Sequence, residues 1–183
     1  MNAPRRAAFL DRDGVINRDH GYLHRVEDFE FLPGAIAGLR SLQRQGYVLT
    51  VVTNQSGIAR GLYDEDDYRR VSAHMEAELA RQGVTLAGVA HCPHLPDAPV
   101  ARWRLVCDCR KPAPGLLLGL AARLGLDLPA SILVGDKLSD VQAGRAAGVG
   151  RCFLVRSGQA LEEAASRQAD AVFDDLAACA SAL

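Results

Sequence analysis

The chain has 183 residues, about one domain's worth, with 49% hydrophobic and 23% charged residues. A chain of this length buries roughly 70% of its unfolded surface, so it builds a core without disulfides, and its composition excludes intrinsic disorder. A net charge of −1 with scattered arginines, and only 5% aromatic residues, exclude the basic or base-stacking surface of a nucleic-acid binder.

Ala7–Leu10 is a short apolar run that stops at Asp11, the pattern of a buried strand entering a turn. Pro33-Gly34 opens a helix with Ile36, Leu39 and Leu42 at helical spacing, and Gly46 closes it. Tyr47–Thr53 is a β-branched strand. Asp64 caps a helix that reaches about Gln82, and Gly88–His91 is a weaker strand. Residues 92–114 are proline-rich and without period, which predicts a loop. Then come a helix over Gly115–Leu124, a strand over Ser131–Val134 and a helix over Val141–Ala147 closed by Gly148. A strand over Cys152–Val155 and a helical tail from Asp174 complete the series.

Strands that alternate with helices predict an α/β fold with a mainly parallel sheet, covered by helices on both faces, in a single domain over residues 1–183. The long apolar run from Gly115 stops at Arg123, short of the ~20 residues that a membrane span needs. Arg5-Arg6 is followed by only four apolar residues, too few for the core of a secretory signal. A cytoplasmic protein that meets neither membrane nor nucleic acid is expected.

Ligands of such folds bind at the carboxyl ends of the strands. Asp11, Thr53 and Asp136 all fall there. In Asp11-Arg12-Asp13-Gly14-Val15 two carboxylates stand two residues apart, and they cannot both enter a core without partners. A solvated turn is the plainer explanation of that motif alone. Thr53-Asn54-Gln55, Lys111, Gly135-Asp136-Lys137 and Asp140 change the balance. Together they supply carboxylates for Mg²⁺, a hydroxyl and an ammonium for phosphoryl oxygens, one carboxylate to attack phosphorus and another to move protons.

Of the 21 basic residues only Lys111 and Lys137 are lysine. A chain that uses arginine for general positive charge keeps lysine where a compact ammonium is required. Other phosphate chemistries fail on their motifs. There is no GxxxxGK[ST] and no GxGxxG; His91-Cys92 has no arginine six residues after the cysteine, and His20 has none directly before it.

Cys92-x-His94, twelve residues, then Cys107-x-Cys109 offers three thiolates and an imidazole, a closed tetrahedral set for structural Zn²⁺. The alternative is three unrelated thiols, for which this polar loop, 92–109, is expected to offer no core. Cys152 and Cys179 are expected in the core, and His91 in packing.

The order DxDG, TN, K, GDxxxD over residues 11–140 resembles the haloacid dehalogenase superfamily of aspartate-nucleophile phosphatases. The resemblance implies a Rossmann-like three-layer sandwich. It makes Asp11 the nucleophile and Asp13 the general acid and then base, with Thr53 and Lys111 on the phosphoryl group. Mg²⁺ would lie on Asp11, the Asp13 carbonyl and Asp136, with Asp140 bracing the site.

The wider set DRDGVIN, FLPG, TNQSGIARG, CPH, CDCRKPAPG and GDKLSD resembles the heptose bisphosphate phosphatase family of that superfamily over about residues 9–158. That implies no large cap domain and a cytoplasmic enzyme; a monomer is expected because no helix shows a second apolar face. The implied reaction removes the C7 phosphate of D-glycero-D-manno-heptose 1,7-bisphosphate, on the way to activated heptose for lipopolysaccharide. It also implies substrate contacts from Asp19, His20, Gly21, Tyr22, Asn54, Gln55, Ser56, Arg110 and Lys137, with Arg60 either a contact or a solvated residue. Histidinol-phosphate phosphatases share the acid motifs and the C-R-K-P stretch. A non-catalytic phosphosugar-binding protein is a third possibility, but it has no need of both Asp11 and Asp13.

Overall fold

A computed structural model describes residues 5–161 and 163–183. In chain order the elements are β1 (Ala7–Leu10), α1 (Ala35–Arg44), β2 (Val48–Asn54), α2 (Glu65–Arg81), β3 (Leu86–Cys92), α3 (Gly115–Leu124), β4 (Ile132–Gly135), α4 (Leu138–Ala147), β5 (Arg151–Val155), α5 (Glu163–Gln168), β6 (Ala171–Phe173) and α6 (Leu176–Ser181). The six strands form one sheet in the order β3-β2-β1-β4-β5-β6, and every pairing is parallel.

Strand alternation divides the core into two layers. Ala8, Leu10, Val51 and Val134 face α1, α2 and α6, where they pack with Leu39, Met75 and Leu176. Ala7, Phe9, Val52 and Leu133 face α3, α4 and α5, with Leu117, Val141 and Ala165. The expected three-layer sandwich results. Among the described residues no second domain is inserted, and no helix is long and apolar enough to cross a membrane.

The chain winds outward from β1 to β3, then crosses back to place β4 on the other side of β1. The strand order therefore reverses between β1 and β4, and a crevice opens above their carboxyl ends. Asp11 lies at one lip and Asp136 at the other.

The expected elements are present, with three differences. Helix α4 starts three residues early, at Leu138, because Asp140 Oδ2 accepts from the backbone N–H groups of Asp136 and Lys137 at 3.2 and 3.0 Å and fastens its first turn. Neither α5 nor β6 is expected from the sequence. The zinc loop also corrects the expectation that it offers no core. Cys92 ends β3 and is fully buried in the α3 layer, with Cys107 and Cys109 packed against it. Farther along the loop, Leu95 and Ala98 cluster with Ala59, and Trp103 packs against them. Prolines suppressed regular structure here but not burial. Cys152 and Cys179 are fully buried, as expected, and His91 packs on Tyr68 with ring centroids 3.9 Å apart.

Candidate active site

The floor of the crevice is built from strand ends. Asp11 continues β1, its N–H still bonded to the Val134 carbonyl at 3.0 Å. The Lys111 ammonium reaches three acceptors: Asp11 Oδ1 at 3.0 Å, Asp140 Oδ1 at 2.6 Å and the Val52 carbonyl at 2.8 Å. An ammonium has three protons, so this set uses all of them. Asn54 fixes the backbone that carries this lysine: its amide donates to the Lys111 carbonyl and accepts from the Lys111 N–H, each at 3.0 Å.

Asp11, Asp136 and Asp140 bring carboxylate oxygens within 4.8 Å of one another. Burial pushes the Asp11 carboxyl up to about 7, against the pull of Lys111, with Asp140, Asp136 and Asp13 adding to the rise. Burial likewise pushes Asp136 up to about 6, with Lys137 opposing. Burial works against the Lys111 charge, but Asp11 and Asp140 outweigh it and hold that ammonium above the ordinary lysine range. Lys111 is shared by Asp11 and Asp140, and the half-exposed Lys137 stands 4.0 Å from Asp136 Oδ1, so three buried carboxylates outnumber the two ammoniums.

Asp136 Oδ1 is buried with no hydrogen-bond partner. A buried carboxylate oxygen with no protein donor is what a hard cation needs, so the donor set fits Mg²⁺. Backbone crowds the same carboxylate: a Cβ on Gly14 or Gly158 would stand 2.4 or 2.2 Å from Asp136 Oδ2. Gly14 also has φ +86, so a side chain at that turn is excluded twice.

Asp13 stands beside this floor. Its Oδ1 accepts from Asn17 Nδ2 at 2.9 Å, and its Oδ2 from Gln55 Nε2 at 3.0 Å. Burial raises its carboxyl, but the Arg12 guanidinium together with these hydrogen bonds holds it below the usual carboxylate range. Gln55 also donates to Thr53 Oγ1 at 2.8 Å, and its own carbonyl accepts from Tyr63 Oη at 2.5 Å.

A small niche of about 40 Å³ lies above the floor, between Asp11, Thr53 and Lys111. It adjoins a larger cleft of about 780 Å³, into which Asp19, Gly21, Tyr22, Ser56, Arg110 and Lys137 bring their surfaces. Asn54 and Gln55 also line this cleft, with their side chains bonded as described. His20 does not line it; it faces a separate depression with His24 and Glu27. The Arg60 guanidinium lies 5.7 Å from the Tyr22 ring centroid.

Several contributors were not expected from the sequence. Ser157, Gly158 and Gln159 line the cleft after β5; the Gln159 N–H donates to Asp136 Oδ2 and its amide to Asp19 Oδ2, each at 3.2 Å. The signal that could have found them is their place just past the carboxyl end of β5, the same signal that marks Asp11, Thr53 and Asp136. Asn17 and Tyr63 act through Asp13 and Gln55, and such partners emerge only in three dimensions.

Cys92, His94, Cys107 and Cys109 converge as the spacing predicts. Cys109 Sγ lies 3.0 Å from Cys92 Sγ, 3.3 Å from Cys107 Sγ and 3.3 Å from His94 Nδ1. These separations approach the ~3.7 Å edge of a tetrahedron with Zn–S distances of about 2.3 Å, so the set fits Zn²⁺. Arg110 follows directly, and its Nη1 donates to the His94 carbonyl at 3.3 Å.

A HAD-hydrolase-like family model matches residues 108–179. The chain is 49% identical to the D-glycero-beta-D-manno-heptose-1,7-bisphosphate 7-phosphatase of Escherichia coli K12 over 93% of this chain and 90% of that one. It is 45% identical to the corresponding alpha-manno enzyme of Photorhabdus laumondii, over 86% of each. The solved D,D-heptose 1,7-bisphosphate phosphatase of B. bronchiseptica, complexed with magnesium and phosphate, superposes with a TM-score of 0.81 at 33% identity over 97% of both chains.

Proposed function

From the chain's membership of the D-glycero-D-manno-heptose-1,7-bisphosphate 7-phosphatase family of HAD-like hydrolases, we propose that it removes the C7 phosphate of that sugar bisphosphate through an aspartyl-phosphate on Asp11. The observation that carries this reading is the floor: a buried carboxylate triad, two of whose members hold one fully engaged ammonium, beneath a niche that opens into a polar cleft. Asp11 and Asp136, with the Asp13 carbonyl, would hold Mg²⁺, which when bound offsets negative charge on the phosphoryl oxygens.

Asp11 attacks phosphorus through a carboxylate oxygen while the P–O bond to C7 breaks. Asp13, ionised at rest, takes up a proton from solvent as substrate binds and gives it to the departing sugar oxygen. A water then passes a proton to Asp13 and its oxygen attacks phosphorus; the Asp11–phosphorus bond breaks and inorganic phosphate leaves. Lys111 and the Thr53 hydroxyl stabilise the transferring group. Asp19, Gly21, Tyr22, Ser56, Arg110 and Lys137 contact the sugar and its remaining phosphate, and Arg110 can grip a phosphate bidentately. Asn54 and Gln55 hold Lys111 and Asp13 in place, and His20 shapes the substrate loop from its outer side. Cys92, His94, Cys107 and Cys109 would hold Zn²⁺ and so fix the backbone next to Arg110 and Lys111. The enzyme is read as a cytoplasmic monomer: most of the apolar residues of its helices go into the two core layers, with Leu118 of α3 left exposed.

Phosphate release from the alpha and beta anomers of the heptose bisphosphate, set against histidinol phosphate and run with and without Mg²⁺, tests this. The expected result is Mg²⁺-dependent release of one equivalent, with the anomeric phosphate retained. Faster turnover of histidinol phosphate would overturn the substrate, and undiminished turnover without Mg²⁺ would overturn the role of the metal.

A further inference from the structure

We propose that Arg12 is a positioning residue that aims the Asp13 carboxyl at the junction of the phosphoryl niche and the sugar cleft; this rests on the aspartyl-phosphate reading above. Arg12 lies between the two carboxylates of the motif, yet its side chain is fully buried. Its Nε lies 3.2 Å from Asp13 Oδ1, and its Nη2 lies 3.1 Å from Oδ1 and 3.0 Å from Oδ2. Nη2 also donates to Gln55 Oε1 at 3.3 Å. The fork thus spans both oxygens of Asp13, and Asn17 and Gln55 close the remaining sides.

Burying a guanidinium is costly, and here one nitrogen, Nη1, is buried with no partner. A turn that needed only a charge could leave it in solvent. What lies behind Arg12 is built to support it. The guanidinium sits 5.8 Å from the Tyr68 ring centroid, Tyr68 stacks on His91, and His91 Nε2 meets Glu65 Oε2 at 3.2 Å. In front, Asp13 lines both the niche that holds Asp11 and the larger cleft. That is where a carboxyl must stand to reach first the sugar oxygen that leaves phosphorus and then the water that replaces it. A lysine ammonium in this place could meet one oxygen of Asp13 but could not hold both in a plane.

Magnesium- and zinc-loaded enzyme is mixed rapidly with p-nitrophenyl phosphate. Nitrophenolate leaves without a proton, so the first step does not need Asp13, whereas hydrolysis of the aspartyl-phosphate does. For Arg12→Lys and Arg12→Met the expected result is one nitrophenolate per enzyme released at close to the wild-type rate. The steady phase should then be slower by roughly 10²-fold, within the range of general acid–base catalysis. Asn17→Ser removes one donor from the same carboxylate without touching the arginine, and it should give the same pattern to a smaller degree even if the Arg12 variants fold poorly. Equal loss of both phases in Asn17→Ser and in the folded Arg12 variants would assign Arg12 to structure alone and overturn the proposal. So would an unchanged steady phase in Arg12→Lys. Asp13→Asn is run alongside: absence of a burst there overturns the aspartyl-phosphate reading, and this proposal with it.

Discussion

The floor and the rim of the crevice are held by different means. The floor consists of buried side chains joined by short charged contacts, with Asp11 just past β1, Asp140 in the first turn of α4 and Lys111 brought in by the loop before α3: Lys111 to Asp11 and Asp140, Asp140 to the backbone N–H groups of Asp136 and Lys137. The rim is made of loops joined by single side-chain ties and by a thiol–imidazole cluster: Gln159 to Asp19, Arg110 to the His94 carbonyl, and Cys109 to its three neighbours. The sheet therefore positions the chemistry, and loop contacts shape what enters. A change in the floor should affect every phosphate ester alike, while a change in the rim should discriminate between substrates.

The largest effect is expected at the nucleophile. Asp11→Asn keeps the side-chain volume but cannot attack phosphorus well, so turnover should fall by roughly 10⁴–10⁶-fold on any ester while the fold persists. Steady-state kinetics beside a thermal melt checks this, and near-wild-type rates would rule out a covalent role for Asp11. Lys111→Arg tests the geometry of the floor rather than its charge. Three acceptors converge on one nitrogen, and a planar guanidinium spreads its donors too widely to meet them together. A loss of roughly 10²–10³-fold in kcat, shared by sugar and aryl phosphates, is expected, the scale of removing one oriented donor. Equal activity of the arginine variant would show that lysine is not required there.

The rim should separate substrates. Arg110→Ala should cost about 1–3 kcal/mol in kcat/KM on a sugar bisphosphate, the range of a charged hydrogen bond, and much less on an aryl monophosphate. Cys109→Ser should release zinc and loosen the backbone around 107–111, thereby depressing activity. The stretch around Trp103 should loosen less, because Leu95, Ala98 and Ala59 hold Trp103 besides its contact with the His94 ring. Hydrogen exchange resolves the two stretches. Loss of the whole fold on zinc removal would show that the floor depends on the rim after all.

The same division governs how much could be read from sequence. Strands β1, β2 and β4 are apolar runs closed by Asp, Thr or Gly, so their positions and the polar residues after them follow from local pattern, and β5 is an apolar run as well. The zinc set follows from spacing. What escapes is held by contacts distant in sequence. Strand β6 is a three-residue, half-buried edge, and α5 buries only Ala165, so neither carries a period. Arg12 reads as a surface arginine, since its burial depends on Gln55 and on Tyr68 behind it. His20 is adjacent in sequence to residues of the cleft, yet its side of the loop faces away.

The smallest effect concerns the cost of the floor without its cation. In the metal-free fold, burial raises the carboxyls of Asp11 to about 7 and Asp136 to about 6, each from 3.8. An acid whose pKa rises on folding binds more protons in the native state than in the unfolded chain across that interval. Its contribution is therefore favourable at low pH and is lost as pH rises from about 4 through 6 and 7. The slope is at most about 1.4 kcal/mol per pH unit for each group. Magnesium binds the ionised form, so it should offset this loss, and its stabilisation should grow from pH 5 to pH 7.5. Urea unfolding of the zinc-loaded protein, with and without Mg²⁺, measures that difference directly. Because only the Mg²⁺-dependent part is compared, carboxylates elsewhere in the chain cancel. Asp136→Asn removes one of the two raised groups and should flatten the difference, whereas Arg110→Ala, on the rim, should leave it intact. A magnesium stabilisation that does not change with pH would place the cation away from these two carboxylates.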